Sequence, residues 1–324
     1  MSNITGIQKF VEICREADAE GLLVEPPAGT LDGFSGNRLV GAIQRFTRHF
    51  AESDSATYVE VGVFQGLTLL SNAYANPGSD CYGIDNFSLF NEGKANKEIV
   101  EKRMAALEIC NARILDMDFE EGLSRLDEVL PTGRRIGVFF VDGPHDYRSQ
   151  LVPLLRIKPH MAENGVILID DANYPHVRQA TVDFLQSAPD YALLCEAYTA
   201  AHPANLSGEE KAQALSGWWN GVNILVRDPE HILPRTLPPL SPGARDLHFI
   251  THDLFRNRHA ELAWEVLCRA EALVGGGGNA EAAREAVRQM LDCHRVAHPN
   301  RHEHQNTYSD ALPAFNVVST GTAG

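Results

Sequence analysis

The chain has 324 residues, 44% hydrophobic and 22% charged, a globular composition that excludes disorder and low-complexity scaffolding for its bulk. Its 43 acidic residues against 28 basic ones give a net charge of −15, which excludes the basic footprint of a duplex-nucleic-acid or membrane-surface binder. No apolar run approaches the ~20 residues a membrane span needs, and the opening MSNITGIQKFVEICREADAE is too polar and acidic for a signal peptide, so a cytoplasmic address is expected.

Residues 7–50 read as helical, interrupted by the loop EPPAGTLDGFSG (25–36), and residues 1–54 are expected to form a helical cap or lid. From Thr57 short apolar runs alternate with helix-like stretches. The runs are TYVEVGV (57–63), CYGID (81–85), ARIL (112–115), IGVFFVD (136–142), GVILID (165–170), YALLCE (191–196) and GVNILV (221–226). Amphipathic segments such as NKEIVEKRMAAL (96–107) and QLVPLLRI (150–157) lie between them. Continuous apolar strands separated by helices predict an α/β fold: a doubly wound, Rossmann-like sheet of seven mostly parallel strands over residues 55–227.

The insertion before the last run, TAAHPANLSGEEKAQALSG, is placed to act as a lid, and the Trp218–Trp219 pair after it reads more readily as packing than as a substrate wall. Residues 228–250 are Pro-rich and irregular. Residues 251–274 put Phe255, Leu262, Val266 and Leu273 on one helical face, and Asn279 follows four glycines as an N-cap. A helical appendage over 228–310 is therefore expected, as a core pack, a site roof or a homo-oligomer contact, with a frayed tail over 311–324. HPNRHEHQN (298–306) lacks rigid metal-site spacing and reads as solvated. The six cysteines form no CxxC pair and read as buried free thiols.

The first strand ends in EVGVFQG (60–66), where glycines permit a sharp turn and close ligand approach and the next helix offers its N-terminus. The dinucleotide fingerprint G-x-G-x-x-G is absent, which weighs against an NAD-dependent oxidoreductase. Asp85, in YGIDNF, ends the second strand, where a carboxylate can accept hydrogen bonds from both ribose hydroxyls of a nucleoside. Asp118 and Phe119, after the third strand, suit an adenine and equally an ordinary N-cap and core contact.

The fourth and fifth strands end in VDGPHDY (141–147) and LIDDANYPH (168–176), so Asp142, Asp170 and Asp171 are expected to converge at neighbouring strand tips. Two like charges at about 4 Å repel by roughly 4 kcal/mol at an effective dielectric of 20, so the cluster calls for a retained proton, a basic partner or a hard cation, above all Mg²⁺. Helix capping is the alternative for one or two of the three. His145 titrates near neutral pH and lies three residues past Asp142, which suits a general base; a metal ligand or a helix-start residue are its other readings. Tyr147, Asn173 and His176 stand as acceptor-pocket candidates, each equally open to a structural role.

In order, EVGVFQG, YGIDNF and VDGPHDY resemble a class I S-adenosylmethionine-dependent methyltransferase over roughly residues 55–226. The resemblance implies that Glu60, Gly62 and Gly66 line the methionine end, that Asp85 holds the ribose, and that Asp118 and Phe119 border the adenine. Phe64, Asn86 and Asp142, in the same motifs, are counted with the cofactor-binding set. D-G-x-H-x-Y (142–147) with I-D-D-x-N (169–173) is similar to the metal-dependent O-methyltransferases of macrolide and aminocoumarin sugar tailoring. That similarity implies a metal triad of Asp142, Asp170 and Asp171 and a base at His145, although Asp146 stands where a small residue is commoner. The implied activity is Mg²⁺-dependent methylation of a sugar, glycoside or other polyhydroxylated small molecule. A catechol-type acceptor satisfies the same chelate. A non-catalytic oligomerising module is the remaining alternative.

Overall fold

All seven apolar runs fold as strands in a computed structural model, which describes residues 3–51, 56–91, 93, 95–203, 206–240 and 312–318. They are β1 (Ala56–Val61), β2 (Cys81–Asp85), β3 (Ala112–Asp116), β4 (Arg135–Val141), β5 (Met161–Asp170), β6 (Tyr191–Ala197) and β7 (Val222–Arg227). An eighth, β8 (Asn316–Val317), comes from the stretch expected to fray. The sheet therefore has eight strands among the described residues, in the order β3-β2-β1-β4-β5-β7-β6-β8.

Strands β1 to β5 run parallel, while β7 is antiparallel to both β5 and β6, and β8 is antiparallel to β6. Phe139, Phe140 and Val141 of β4 and Ile167, Leu168 and Ile169 of β5 are fully buried, as central strands covered on both faces must be. The register sets Val61 beside Ile84 on one side and Val141 on the other, and Val141 beside Ile169. The tips of β2, β1, β4 and β5 thus end side by side. The chain order reverses between β1 and β4, the position where open α/β sheets form their ligand crevice.

The covering helices are α1 (Asn3–Glu20), α2 (Asn37–Ala51), α3 (Leu67–Ala75), α4 (Asn96–Ala106), α5 (Phe119–Ser124), α6 (Leu126–Val129), α7 (Tyr147–Ile157), α8 (Pro175–Ser187) and α9 (Gly208–Ser216). Helix α2 buries Leu39, Ile43, Phe46 and Phe50, at helical spacing, against α1, α3, β1 and β4. The expected N-terminal helices are therefore α1 and α2, and the loop 25–36 separates them. Within the 197–220 insertion, residues 208–216 form α9.

The tail does not fray where it is described. Asn316 pairs with Glu196 through backbone and side chain, its Nδ2 donating to Glu196 Oε1 at 3.0 Å. The Phe315 ring stacks on Trp218 at 5.8 Å, and Trp218 Nε1 donates to Asp18 Oδ1 of α1 at 2.8 Å. The tail's apolar residues and the free edge of β6 explain the pairing: an open edge strand exposes unpaired backbone groups that a short strand can satisfy. The expected helical hairpin over 251–293 and the tract 298–306 lie outside the described residues. Cys14, Cys81 and Cys195 are buried free thiols, whereas Cys110, expected to be buried, is exposed in the turn after α4; Cys268 and Cys293 lie outside the described residues.

Candidate functional site

A cleft of about 780 Å³ opens over the strand tips. Its first wall is the turn after β1. Gly62 has φ +93°, and a side chain there would run into the Asp142 carbonyl, so only glycine lets the β1 and β4 tips approach this closely. The Gly62 N–H donates to Ile84 O at 3.0 Å and the Asp142 N–H to Val61 O at 2.8 Å, which knits three strand ends together. Gly66, with φ +85°, is the N-cap of α3 and supplies no side-chain cap.

Asp85 locks this turn to β2. Its Oδ2 accepts from the Val63 and Phe64 N–H groups, each at 2.8 Å, and its Oδ1 accepts from the Phe87 N–H at 2.7 Å. Gly62, Phe64, Asp85, Asn86, Asp118 and Phe119 all line the cleft. Asp118 is also the N-cap of α5, accepting from the Glu120 N–H at 2.8 Å, so the capping reading holds for a residue that reaches the cleft. Glu60 and Gly66 are not on the cleft wall. Glu60 lies beneath the turn, fully buried, accepting from the Tyr58 hydroxyl and from Thr68 Oγ1. Burial pushes its carboxyl up to about 8.

The opposite wall is acidic. Asp142, His145 and Asp171 each offer a ligand atom, and these atoms all lie within 4.8 Å of one another. Asp171 has φ +55°, a left-handed conformation that aspartate tolerates better than most residues. This bend gives consecutive carboxylates different surroundings. Asp171 Oδ2 lies 2.5 Å from His145 Nε2, and its Oδ1 accepts from Asn220 Nδ2 at 2.5 Å. Burial works to raise its pKa, but His145 and the Asn220 amide hold the carboxyl below the ordinary aspartate range.

Asp170 lies behind this pair, off the cleft wall, and no hydrogen-bond donor among the described residues reaches either carboxylate oxygen. Burial and then the neighbouring Asp171 push its carboxyl well above the aspartate range. Asp142 is pushed well up too, by burial first and then by Asp170, Asp171 and Glu60. Of the three expected triad members, Asp142 and Asp171 therefore meet at the cleft with His145, and Asp170 backs them.

The other candidates stand outside the lining. The Tyr147 hydroxyl donates to Asp183 Oδ2 at 2.6 Å. The Asn173 side chain grips Thr199, donating to its carbonyl at 2.5 Å and accepting from its N–H at 3.1 Å. His176 is half-buried and stacks on Tyr174, and desolvation of its ring pushes its pKa down to about 3, so the ring stays neutral. Asp146, by contrast, does line the cleft, and it caps α7, accepting from the Ser149 N–H at 3.0 Å.

Several site residues carry no signal in the sequence. Asn220 braces Asp171 from the turn before β7, and His202 and Lys211 reach the cleft from the 197–220 insertion. Trp219 lines the cleft as well, while its neighbour Trp218 packs on the tail. Phe34 and Phe90 arrive from loops whose course no periodicity predicts. The loops 25–36, 86–95 and 197–220 are the stretches that the sequence places to build an acceptor pocket, without the individual residues.

Residues 59–172 match the family model described as a methyltransferase domain. That segment runs from β1 through the acidic bend after β5. A mimivirus protein of Acanthamoeba polyphaga, described as uncharacterized protein R132, is 24% identical over 123 residues, 37% of this chain and 53% of its own length. The match thus spans about half of that relative. Among solved structures, the O-methyltransferase TomG of Streptomyces achromogenes, determined with S-adenosylmethionine, is 14% identical, with 68% of this chain and 89% of that chain covered and a TM-score of 0.41. An O-methyltransferase of Bacillus cereus with S-adenosylhomocysteine is 9% identical, with 69% and 91% covered and a TM-score of 0.42. Over residues 59–172 the chain thus resembles a methyltransferase domain.

Proposed function

We propose that this domain moves the methyl group of S-adenosylmethionine to a hydroxyl of a sugar, glycoside or other polyhydroxylated small molecule, in a site that requires Mg²⁺ or a similar divalent cation. The observation that carries the proposal is the meeting of Asp142, His145 and Asp171 on one wall of the cleft, facing the turn that Asp85 braces.

The residues present suit a hard cation. Carboxylate oxygens dominate the donor set, and the buried Asp170 carboxylate has no donor to balance it. Asp142 and Asp171 would hold the ion, with Asp170 adding charge behind them. The residues on the other wall suit a nucleoside: Asp85 and Asn86 at the β2 tip face a ribose, and Asp118 and Phe119 border the base. When bound, S-adenosylmethionine supplies a methyl group on a sulfonium, and the cation supplies positive charge that acidifies and orients a hydroxyl.

The chain's own residues then do three things. The cleft walls hold donor and acceptor in line and limit water. Asp171, braced by Asn220, fixes the His145 imidazole. The His145 imidazole takes the hydroxyl proton at the ring nitrogen that Asp171 does not hold, and the Asp171 carboxylate stabilises the imidazolium that results. Adjacent hydroxyls suit so compact a cluster of donors, which is the reason for naming polyols.

Calorimetry and a methyl-transfer assay test the reading. S-adenosylhomocysteine is expected to bind and to raise Tm, NAD to do neither, and turnover to vanish in EDTA and return with Mg²⁺. Undiminished turnover after exhaustive EDTA dialysis rejects the cation. Absence of S-adenosylhomocysteine binding rejects the whole assignment.

A further inference from the structure

Four aromatic rings from four separate loops meet at the cleft. Phe34 comes from the loop between α1 and α2, Phe64 from the glycine turn, Phe90 from the β2–α4 loop and Trp219 from the turn before β7. Phe34 stacks on Phe64 with centroids 5.0 Å apart and planes 20° apart. Phe90 meets Phe34 at 6.2 Å and Phe64 at 6.3 Å, both edge-on, and Trp219 lies 6.3 Å from Phe34. These are the separations and angles at which aromatic rings attract.

Two features set this cluster apart from core packing. Phe34 is 55% exposed and Phe90 54% exposed, so large apolar rings stand in water beside a ligand-sized cleft. Phe64, Phe90 and Trp219 also hold left-handed backbone, with φ of 51°, 49° and 55°. Bulky side chains adopt that conformation rarely and at a cost, and such residues gather where a site fixes them.

Trp219 joins this wall to the acidic one. It precedes Asn220, whose amide holds Asp171. His145 and the four rings line the same cleft, so a molecule placing a hydroxyl at His145 has the rings within the same cavity.

We propose that the wall is the subsite for a flat aromatic group carried by the acceptor, so that the substrate joins adjacent hydroxyls to a ring that stacks on Phe34 and Phe90. This deepens the methyltransferase reading and rests on it. Amphiphilic acceptors, with a hydroxylated end and an aryl end, fit the cleft; bare sugars fill only its acidic half.

Calorimetry with two vicinal diols of different faces tests this, with and without S-adenosylhomocysteine: 2,3-dihydroxynaphthalene and cis-1,2-cyclohexanediol. The wild-type chain is expected to prefer the aromatic diol by about tenfold or more, and a Phe34→Ala, Phe90→Ala double variant by less than about threefold. Both rings are exposed, so Tm is expected to hold, and affinity for S-adenosylhomocysteine should stay within about twofold. Equal affinity for the two diols in the wild type, or an undiminished preference in the double variant, overturns the proposal. So does a matching loss of S-adenosylhomocysteine affinity, which would make the rings a roof over the cofactor. Failure of S-adenosylhomocysteine to bind the wild type sinks the methyltransferase reading instead, and the diol comparison without it still decides the wall.

Discussion

His145 Nε2 lies 2.5 Å from Asp171 Oδ2, which brings a residue of the loop after β4 into contact with one in the bend after β5. Neither strand alone could build this pair; the parallel β4–β5 register does. His145→Ala is expected to lower kcat by roughly 10²–10⁴-fold, the usual contribution of a positioned base, while S-adenosylhomocysteine still binds. A single-turnover assay beside calorimetry checks it. Near-normal turnover would remove His145 from the chemistry.

Asp170→Asn separates charge from structure. The wild-type cluster crowds Asp142, Asp170 and Asp171 into one volume, and Asp170 has no hydrogen-bond donor among the described residues. At a pH high enough to ionise the cluster, removing one buried charge should raise Tm in EDTA, because the uncompensated repulsion falls. The same change should shrink the Tm gain that Mg²⁺ produces, because the site loses attraction for a cation. Thermal scans with EDTA and with Mg²⁺ read both, and an unchanged Mg²⁺ shift would separate Asp170 from the metal.

Glu60 predicts a pH dependence. Burial raises its carboxyl from about 4.5 to about 8 in the folded chain. Between those values the folded state keeps a proton that the unfolded state has lost. Stability therefore declines as pH rises through this window and is greatest below it. Asp142 and Asp170, also pushed up, add to the decline when no cation is bound. In EDTA, Tm should fall between pH 5.5 and 8, and Glu60→Gln should flatten that fall. Equal slopes in the two proteins would show that Glu60 does not keep its proton.

Asp85→Ala strips the acceptor from three backbone N–H groups, those of Val63, Phe64 and Phe87. Charge-assisted bonds of this kind contribute about 1.5–3 kcal/mol each when made, although water reaches some of the freed groups. The expected result is a loss of roughly 1–3 kcal/mol in urea unfolding and at least about tenfold in S-adenosylhomocysteine affinity. A loss of affinity with stability intact would place Asp85 on the ligand alone.

The parallel core was legible because central strands are buried on both faces and so read as unbroken apolar runs, as IGVFFVD and GVILID do. The direction of β7 was not, because GVNILV has the same pattern whichever way it runs. Strand β8 was missed for want of length: two residues make no period. In the site, strand-tip aspartates could be placed by counting from the runs, which located Asp85, Asp142 and Asp171. Counting could not tell that Asp171 turns left-handed and leaves Asp170 behind, nor that Glu60 points beneath the turn. Asn220, Phe34 and Phe90 sit on loops, where tertiary contacts alone decide position.

The short strand Asn316–Val317 has a practical corollary for anyone shortening this protein. Ending the chain soon after β7 would uncover the outer backbone of β6 and strip Phe315 from Trp218, beside the cleft-lining Trp219. Bare β-edges recruit strands from other molecules. A truncated version should thus self-associate and lose its grip on ligands together, whereas a fusion added beyond residue 318 leaves the seal in place.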